Sequence, residues 1–255
     1  FADFDELQSV TVGDSVETIG NKAFANCSKL ESVKFGKSLW KIGAYAFIEC
    51  EKLKSIVLPN NVKVILTGAF NDCCCLSSVT LSTSMTEIPA EAFAGCMALT
   101  TVALPQSVTS IGDNAFYDCS LLSTISLANV NHIGQSAFYD CRSLSEITLS
   151  DNLSVINDYA FKGCTSIKGV TIPESVCKIG ESAFYDCTAL ENVTFAGTTP
   201  IDFGGHAFAN CVSLSAIEIN ASNTGEGLFK SCSKLTTATI HGNCSEVGDS
   251  VFSGC

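Results

Sequence analysis

The side chains in this 255-residue chain that could do chemistry are fifteen cysteines, three histidines and a recurring Tyr-Asp-Cys triplet. The triplet stands at Tyr117-Asp118-Cys119, Tyr139-Asp140-Cys141 and Tyr185-Asp186-Cys187. A thiolate metal site needs ligands that converge, commonly at C-x-x-C spacing, and no such pair occurs. A Ser-His-Asp or Cys-His catalyst needs its members in hydrogen-bond contact. His132, His206 and His241 are far apart in sequence. The cysteine total is odd, so at least one thiol is unpaired or intermolecular. No metal, cofactor or catalytic set is expected. Gly204-Gly205 and Gly225-Glu226-Gly227 lack the Gly-Lys-Ser/Thr continuation of a phosphate loop and read as loop glycines.

The elements that position these residues explain them better than chemistry does. Eleven of the cysteines follow a Phe by three residues, from Phe24/Cys27 to Phe252/Cys255, usually at a 23-residue step. A fixed step of this size marks a solenoid. Rung five reads Leu99, Val102, Leu104, Val108, Ile111, Phe116, Cys119, and the consensus is L-x-x-V-x-L-P-x-S-V-x-x-I-G-x-x-A-F-x-x-C-x-x. The ladder cysteines then fill a repeated small slot as buried thiols. Cys74, Cys75, Cys177 and Cys244 fall outside it. So many free thiols would suit a reducing or anaerobic setting.

The spacing predicts local structure. Val102 and Leu104 share one face of an extended segment, which Pro59, Pro105 and Pro173 terminate in their rungs. The S-V-x-x-I segment predicts a second short strand. Phe116, Cys119 and Leu122 are three apart, which predicts a 3₁₀ or helical turn with one buried face. Gly20, Gly43, Gly112, Gly134, Gly180 and Gly248 follow the second Ile or Val and are expected at φ > 0. Stacking at roughly 5 Å per rung gives a rod on the order of 50 Å long. Rung six is one residue short. Rung nine has one extra residue and rung ten lacks two, so residues 196–228 should be the most irregular wall.

The L-x-x-V-x-L core, with Ser or Asn three residues after its last Leu, resembles the leucine-rich repeat. The complete 23-residue form looks like the BspA-like (Treponema pallidum type) leucine-rich-repeat family across essentially the whole chain. The resemblance implies a curved, right-handed horseshoe solenoid of about eleven rungs. Its parallel sheet would line the concave side, with short strands and 3₁₀ or helical turns elsewhere. It also implies a non-enzymatic surface or secreted protein, of the kind for which adhesion to host cells and matrix proteins has been proposed. The family shares no binding residues by motif.

Composition narrows the partners. The net charge is −12 and the pI about 4.6. That opposes binding to nucleic acid and anionic lipid. No apolar run approaches a membrane span. Both ends look like cuts through a longer array, so residues 1–255 read as one domain within a larger protein, and uncapped ends leave oligomerisation open. The outward sheet positions form a hydroxyl-rich face, and Thr80, Thr101, Ser126, Thr148, Thr171, Asn192 and Thr194 are its candidate protein-binding residues. Asp202, Phe203, His206, Asn223 and Glu226 are the candidates on the irregular wall. Tyr117, Tyr139 and Tyr185 form another patch, and Asp118, Asp140 and Asp186 read as a solvated stripe. Sequons begin at Asn26, Asn152, Asn192, Asn220 and Asn243. The expected function is extracellular or cell-surface protein recognition. The alternatives are a passive spacer or intracellular scaffold, and an enzyme around His206 and Asp202.

Overall fold

The computed structural model describes residues 1–241, 244 and 246–255; the Asn243 sequon lies outside the described residues. Each rung begins with a short strand of β-branched and hydroxyl residues. Strands Ser9–Thr11, Ser32–Lys34, Ser55–Val57, Ser78–Thr80, Thr101–Val102, Thr124–Leu127 and Glu146–Leu149 form one parallel sheet. Gly169–Ile172 pairs with Asn192–Phe195, and Ala216–Thr224 with Thr237–His241. Like positions pair, as in Ser9 with Ser32 and Ser126 with Thr148. A one-residue slip would turn every Val and Ile toward water, so the apolar alternation holds the register.

The V-x-x-I segment forms the second strand, as expected. Lys41–Ile42 lies between Thr18–Ile19 and Val64–Ile65, and later rungs repeat the arrangement. Between the two strands the consensus Ser or Asn ties rungs together. Ser107 Oγ donates to the carbonyls of Thr83 and Met85, and Ser175 Oγ to that of Leu153. These bonds satisfy turn carbonyls that would otherwise be lost from water.

The A-F-x-x-C segment buries Phe, Cys and Leu as the spacing predicts, but its backbone is not a 3₁₀ helix. A helix needs negative φ throughout. Here Asn114 (φ 54°) and Asp118 (φ 52°) flank Phe116 in the left-handed region. The N–H groups of Asn114, Phe116 and Asp118 donate to Gln135, Ala137 and Tyr139 of the next rung, at 2.8–2.9 Å. Stacking supplies these carbonyl acceptors, so alternate amides point along the solenoid instead of back along the chain.

The core is a continuous column. Phe rings stack from Phe1 to Phe252, with neighbours such as Phe93–Phe116 at 5.6 Å and Phe116–Phe138 at 5.4 Å. Burying one such ring contributes about 2–3 kcal/mol. Each ladder thiol donates to the carbonyl of the preceding rung's Phe, as Cys119 does to Phe93 and Cys141 to Phe116, both at 3.1 Å. Among the described residues every cysteine is a free thiol.

The glycine expectation is corrected. Gly43, Gly112, Gly134, Gly180 and Gly248 do not lie at positive φ. What requires glycine is close approach. A Cβ on Gly112 would sit 2.5 Å from the Ala90 amide nitrogen of the preceding rung. On Gly20, in the first rung, it would meet nothing within 4 Å.

Rungs nine and ten keep the second sheet although they lose its sequence pattern. Strand Ile201–Phe203 pairs with Lys178–Ile179 on one side and with Ala216–Thr224 on the other, shifting register between Ile201 and Asp202. Ile201 and Phe203 fill the apolar slots. Rung ten has two residues fewer and no proline turn, and one nine-residue strand, Ala216–Thr224, pairs through its first half with Thr237–His241 and through its second with Ile201–Phe203.

Candidate functional site

Along the first strands of successive rungs, in the seven-stranded sheet and in the strand pair that follows it, the alternation places each Val or Ile between two outward neighbours. Thr80, Thr101, Ser126, Thr148, Thr171, Asn192 and Thr194 are all exposed. They project from backbone that is hydrogen-bonded along the sheet, which makes them fixed groups and not loop residues.

Four of the seven converge. Thr148, Thr171, Asn192 and Thr194 line a shallow depression of about 440 Å³ over rungs seven to nine, with Asp151 and Gly169. Gly169 occupies a row held by Ser or Thr in rungs one to six, and the missing side chain opens the floor. A Cβ there would lie 3.6 Å from its nearest neighbour, so the opening is not forced by backbone crowding. A second depression, about 460 Å³, adjoins through Thr194 and is lined by Glu218, Asn220 and His241. His241 Nε2 and Glu218 Oε1 meet at 2.8 Å across rungs eleven and ten. Thr80, Thr101 and Ser126 extend the same face outside both depressions. Gly169, Asp151 and the Glu218–His241 pair are not among the candidates that alternation and hydroxyl content single out. Gly169 was visible as a gap in a hydroxyl row, whereas the pair required the register.

The irregular-wall candidates do not form one site. Phe203 is a correction: it is 1% exposed and packs against Phe195 and Phe208, because it replaces the repeat's apolar residue. Asp202 accepts from Asn223 at 3.3 Å. The His206 amide donates to the Glu226 carbonyl. No hydrogen bond joins His206 to Asp202 among the described residues. Nor, among them, is any group of three His, Cys, Asp or Glu side chains arranged to hold a metal. Among the described residues no helix is long and apolar enough to cross a membrane.

Most of the ladder thiols are chemically quiet in the folded chain. Burial raises Cys50 to about 12 and pushes Cys73, Cys96, Cys141 and Cys164 well above the ordinary thiol value. A nucleophile needs the thiolate, so these residues are packing groups. Cys75 and Cys177 are exposed. The Tyr-Asp-Cys triplets divide likewise into a buried thiol and outward partners. Asp118, Asp140 and Asp186 are half-buried rather than fully solvated, and Asp186 accepts from Asn210 at 2.6 Å.

The BspA-type leucine-rich-repeat model matches residues 1–123 and 131–255 in six copies. A leucine-rich repeat protein from Bacteroides ovatus covers all of this chain and 78% of its own, at 25% identity and a TM-score of 0.74. A leucine-rich cell surface protein from Faecalibacterium prausnitzii is 27% identical over 94% of this chain and 80% of its own, at a TM-score of 0.60. The pneumococcal vaccine antigen PcpA is 25% identical over 93% of this chain and 62% of its own, at a TM-score of 0.64. No curated protein sequence matches the chain.

Proposed function

The chain belongs to the BspA-type leucine-rich-repeat family, and on that premise we propose that it is a non-enzymatic protein-recognition module of a cell-surface or secreted protein. Its partner would be a host-cell or matrix protein, docked on the face of the first strands across rungs seven to eleven. The observation that carries this is the pair of adjoining depressions sharing Thr194, set in a hydroxyl-lined face. Two features favour that stretch. The groups lining it are fixed by parallel strands, so little ordering entropy is lost on docking. They also combine exposed acceptors and donors with a floor that one glycine leaves open, the shape that receives a projecting side chain. The description of the F. prausnitzii relative as a cell surface protein supports the location.

The test is capture of purified host-surface and matrix proteins by the chain and by Gly169→Leu, whose Cβ would meet no atom closer than 3.6 Å and whose side chain would enter the depression. Loss of a specific partner with Gly169→Leu, and its retention by Asp14→Asn on another side, is the expected result. Equal capture by all three would sink the sheet-face reading. Binding of no protein would leave a spacer role as the better account.

A further inference from the structure

A second surface lies on the wall formed by the A-F-x-x-C turns. At the position after the repeat Phe, rungs four to eight read Ala94, Tyr117, Tyr139, Lys162 and Tyr185. Tyr117 and Tyr139 stack at 4.9 Å between ring centroids. The next residue in the column, Lys162, has its Nζ 5.1 Å from the ring centroids of both Tyr139 and Tyr185. The wall therefore already holds one alkylammonium between two phenol rings. An ammonium within about 6 Å of a ring centroid is drawn to the negative face of the π system.

The column stops at Tyr117. On its rung-four side stands Ala94, a buried methyl, and Tyr117 remains 39% exposed. The neighbouring position holds Asp72 in rung three, Gly95 in rung four and Asp118 in rung five. Asp72 leans over Gly95, where a Cβ would meet its Oδ1 at 2.0 Å. Partial desolvation, then the charges of Glu49, Asp118 and Glu91, raise the Asp72 carboxyl above its ordinary value. Residues 64–141 contain six acidic side chains and no Lys or Arg.

We propose that the outer face of Tyr117, above Ala94 and beside Asp72 and Asp118, is a binding site for an alkylammonium group, presented by a lysine side chain of a basic protein partner. Lys162 meets two rings within the chain; at Tyr117 one ring, with the Asp72 and Asp118 carboxylates, would hold the partner's ammonium. The acids add long-range attraction and the ring adds a contact that charge alone does not supply. The site uses the turn wall, so it stands whether or not the sheet face binds a protein.

The experiment is calorimetric titration of the whole chain with a hexalysine peptide and with its hexa-acetyllysine counterpart. Hexalysine should bind and the acetylated peptide should not. Tyr117→Ala keeps the net charge and should weaken hexalysine about twofold to thirtyfold, the range for one cation–π contact. Ala94→Lys should place an ammonium on the ring, as Lys162 does in rung seven, and weaken binding more than Ala128→Lys, which adds the same charge on another side. Circular dichroism checks that each variant is folded. Equal hexalysine affinity for the wild type and Tyr117→Ala would reduce the effect to polyelectrolyte attraction and overturn the proposal. So would equal effects of the two Lys substitutions, or equal binding of the acetylated peptide.

Discussion

Substituting Gly112 by Ala tests how the rungs are spaced. The added methyl would meet the Ala90 amide nitrogen at 2.5 Å and the Pro89 carbonyl carbon at 2.8 Å. Ordinary contact lies near 3.5 Å, so the two backbones must part locally by the better part of an ångström. The obstacle is main chain, and no rotamer change relieves it. Overpacking of this kind costs about 1–3 kcal/mol. Parting the rungs also strains the Gly112 amide's bond to the Ile88 carbonyl, now 2.8 Å, which adds about 0.5–1.5 kcal/mol. The expected loss is therefore about 2–4 kcal/mol. Gly20→Ala provides the control. Its methyl meets nothing within 4 Å, and its φ is not positive. Reduced freedom of the unfolded chain should then stabilise by about 0.4–1 kcal/mol. Urea unfolding monitored by circular dichroism and by Trp40 fluorescence measures both, and comparing the probes shows whether the array unfolds as one unit. Equal effects of the two substitutions, or a change within about 0.5 kcal/mol at Gly112, would refute backbone approach as the reason for glycine.

Phe116→Ala removes a ring stacked on both sides and should cost about 3–5 kcal/mol in urea unfolding. Phe252, 37% exposed and, among the described residues, stacked on Phe229 alone, should cost clearly less when truncated; equal losses would contradict the column. At pH 8 iodoacetamide should label Cys75 and Cys177 in the native chain and reach Cys50, Cys73 and Cys96 only after unfolding, as read by peptide mass spectrometry. Cys50 titrates near 9 unfolded and about 12 folded. Its stabilising share is thus complete below pH 9 and declines between pH 9 and 12, by about 1.4 kcal/mol per pH unit. A flat stability profile across that window would count against burial of the thiol. Expressed through a eukaryotic secretory route, the chain should carry a glycan at Asn152, exposed in a turn. It should carry none at Asn220, whose amide donates to the Thr198 carbonyl. Glycosidase digestion with mass spectrometry reads the occupancy.

The one-dimensional pattern determined the main architecture because a solenoid's long-range contacts fall one period apart. Reading every 23 residues already pairs Ser9 with Ser32 and Phe93 with Phe116, and alternation says which side chains face inward. The exposed hydroxyl row, the buried thiol column and the short second strand follow from that alone. Other features depended on how one rung meets the next. The Phe-Cys spacing suits a helical turn, yet the neighbouring rung's carbonyls draw alternate amides along the axis, so left-handed residues such as Asn114 and Asp118 replace it. Glycine after Ile111 suggested a special φ, whereas a close neighbouring backbone is what excludes a side chain. Phe203 belonged to an apparently irregular wall until strand pairing turned it into the core. The two depressions needed the lateral placement of three to five rungs at once, and so did the ammonium of Lys162 between two tyrosine rings. The period specifies which residues are neighbours; distance and direction between their backbones decide what each neighbour does.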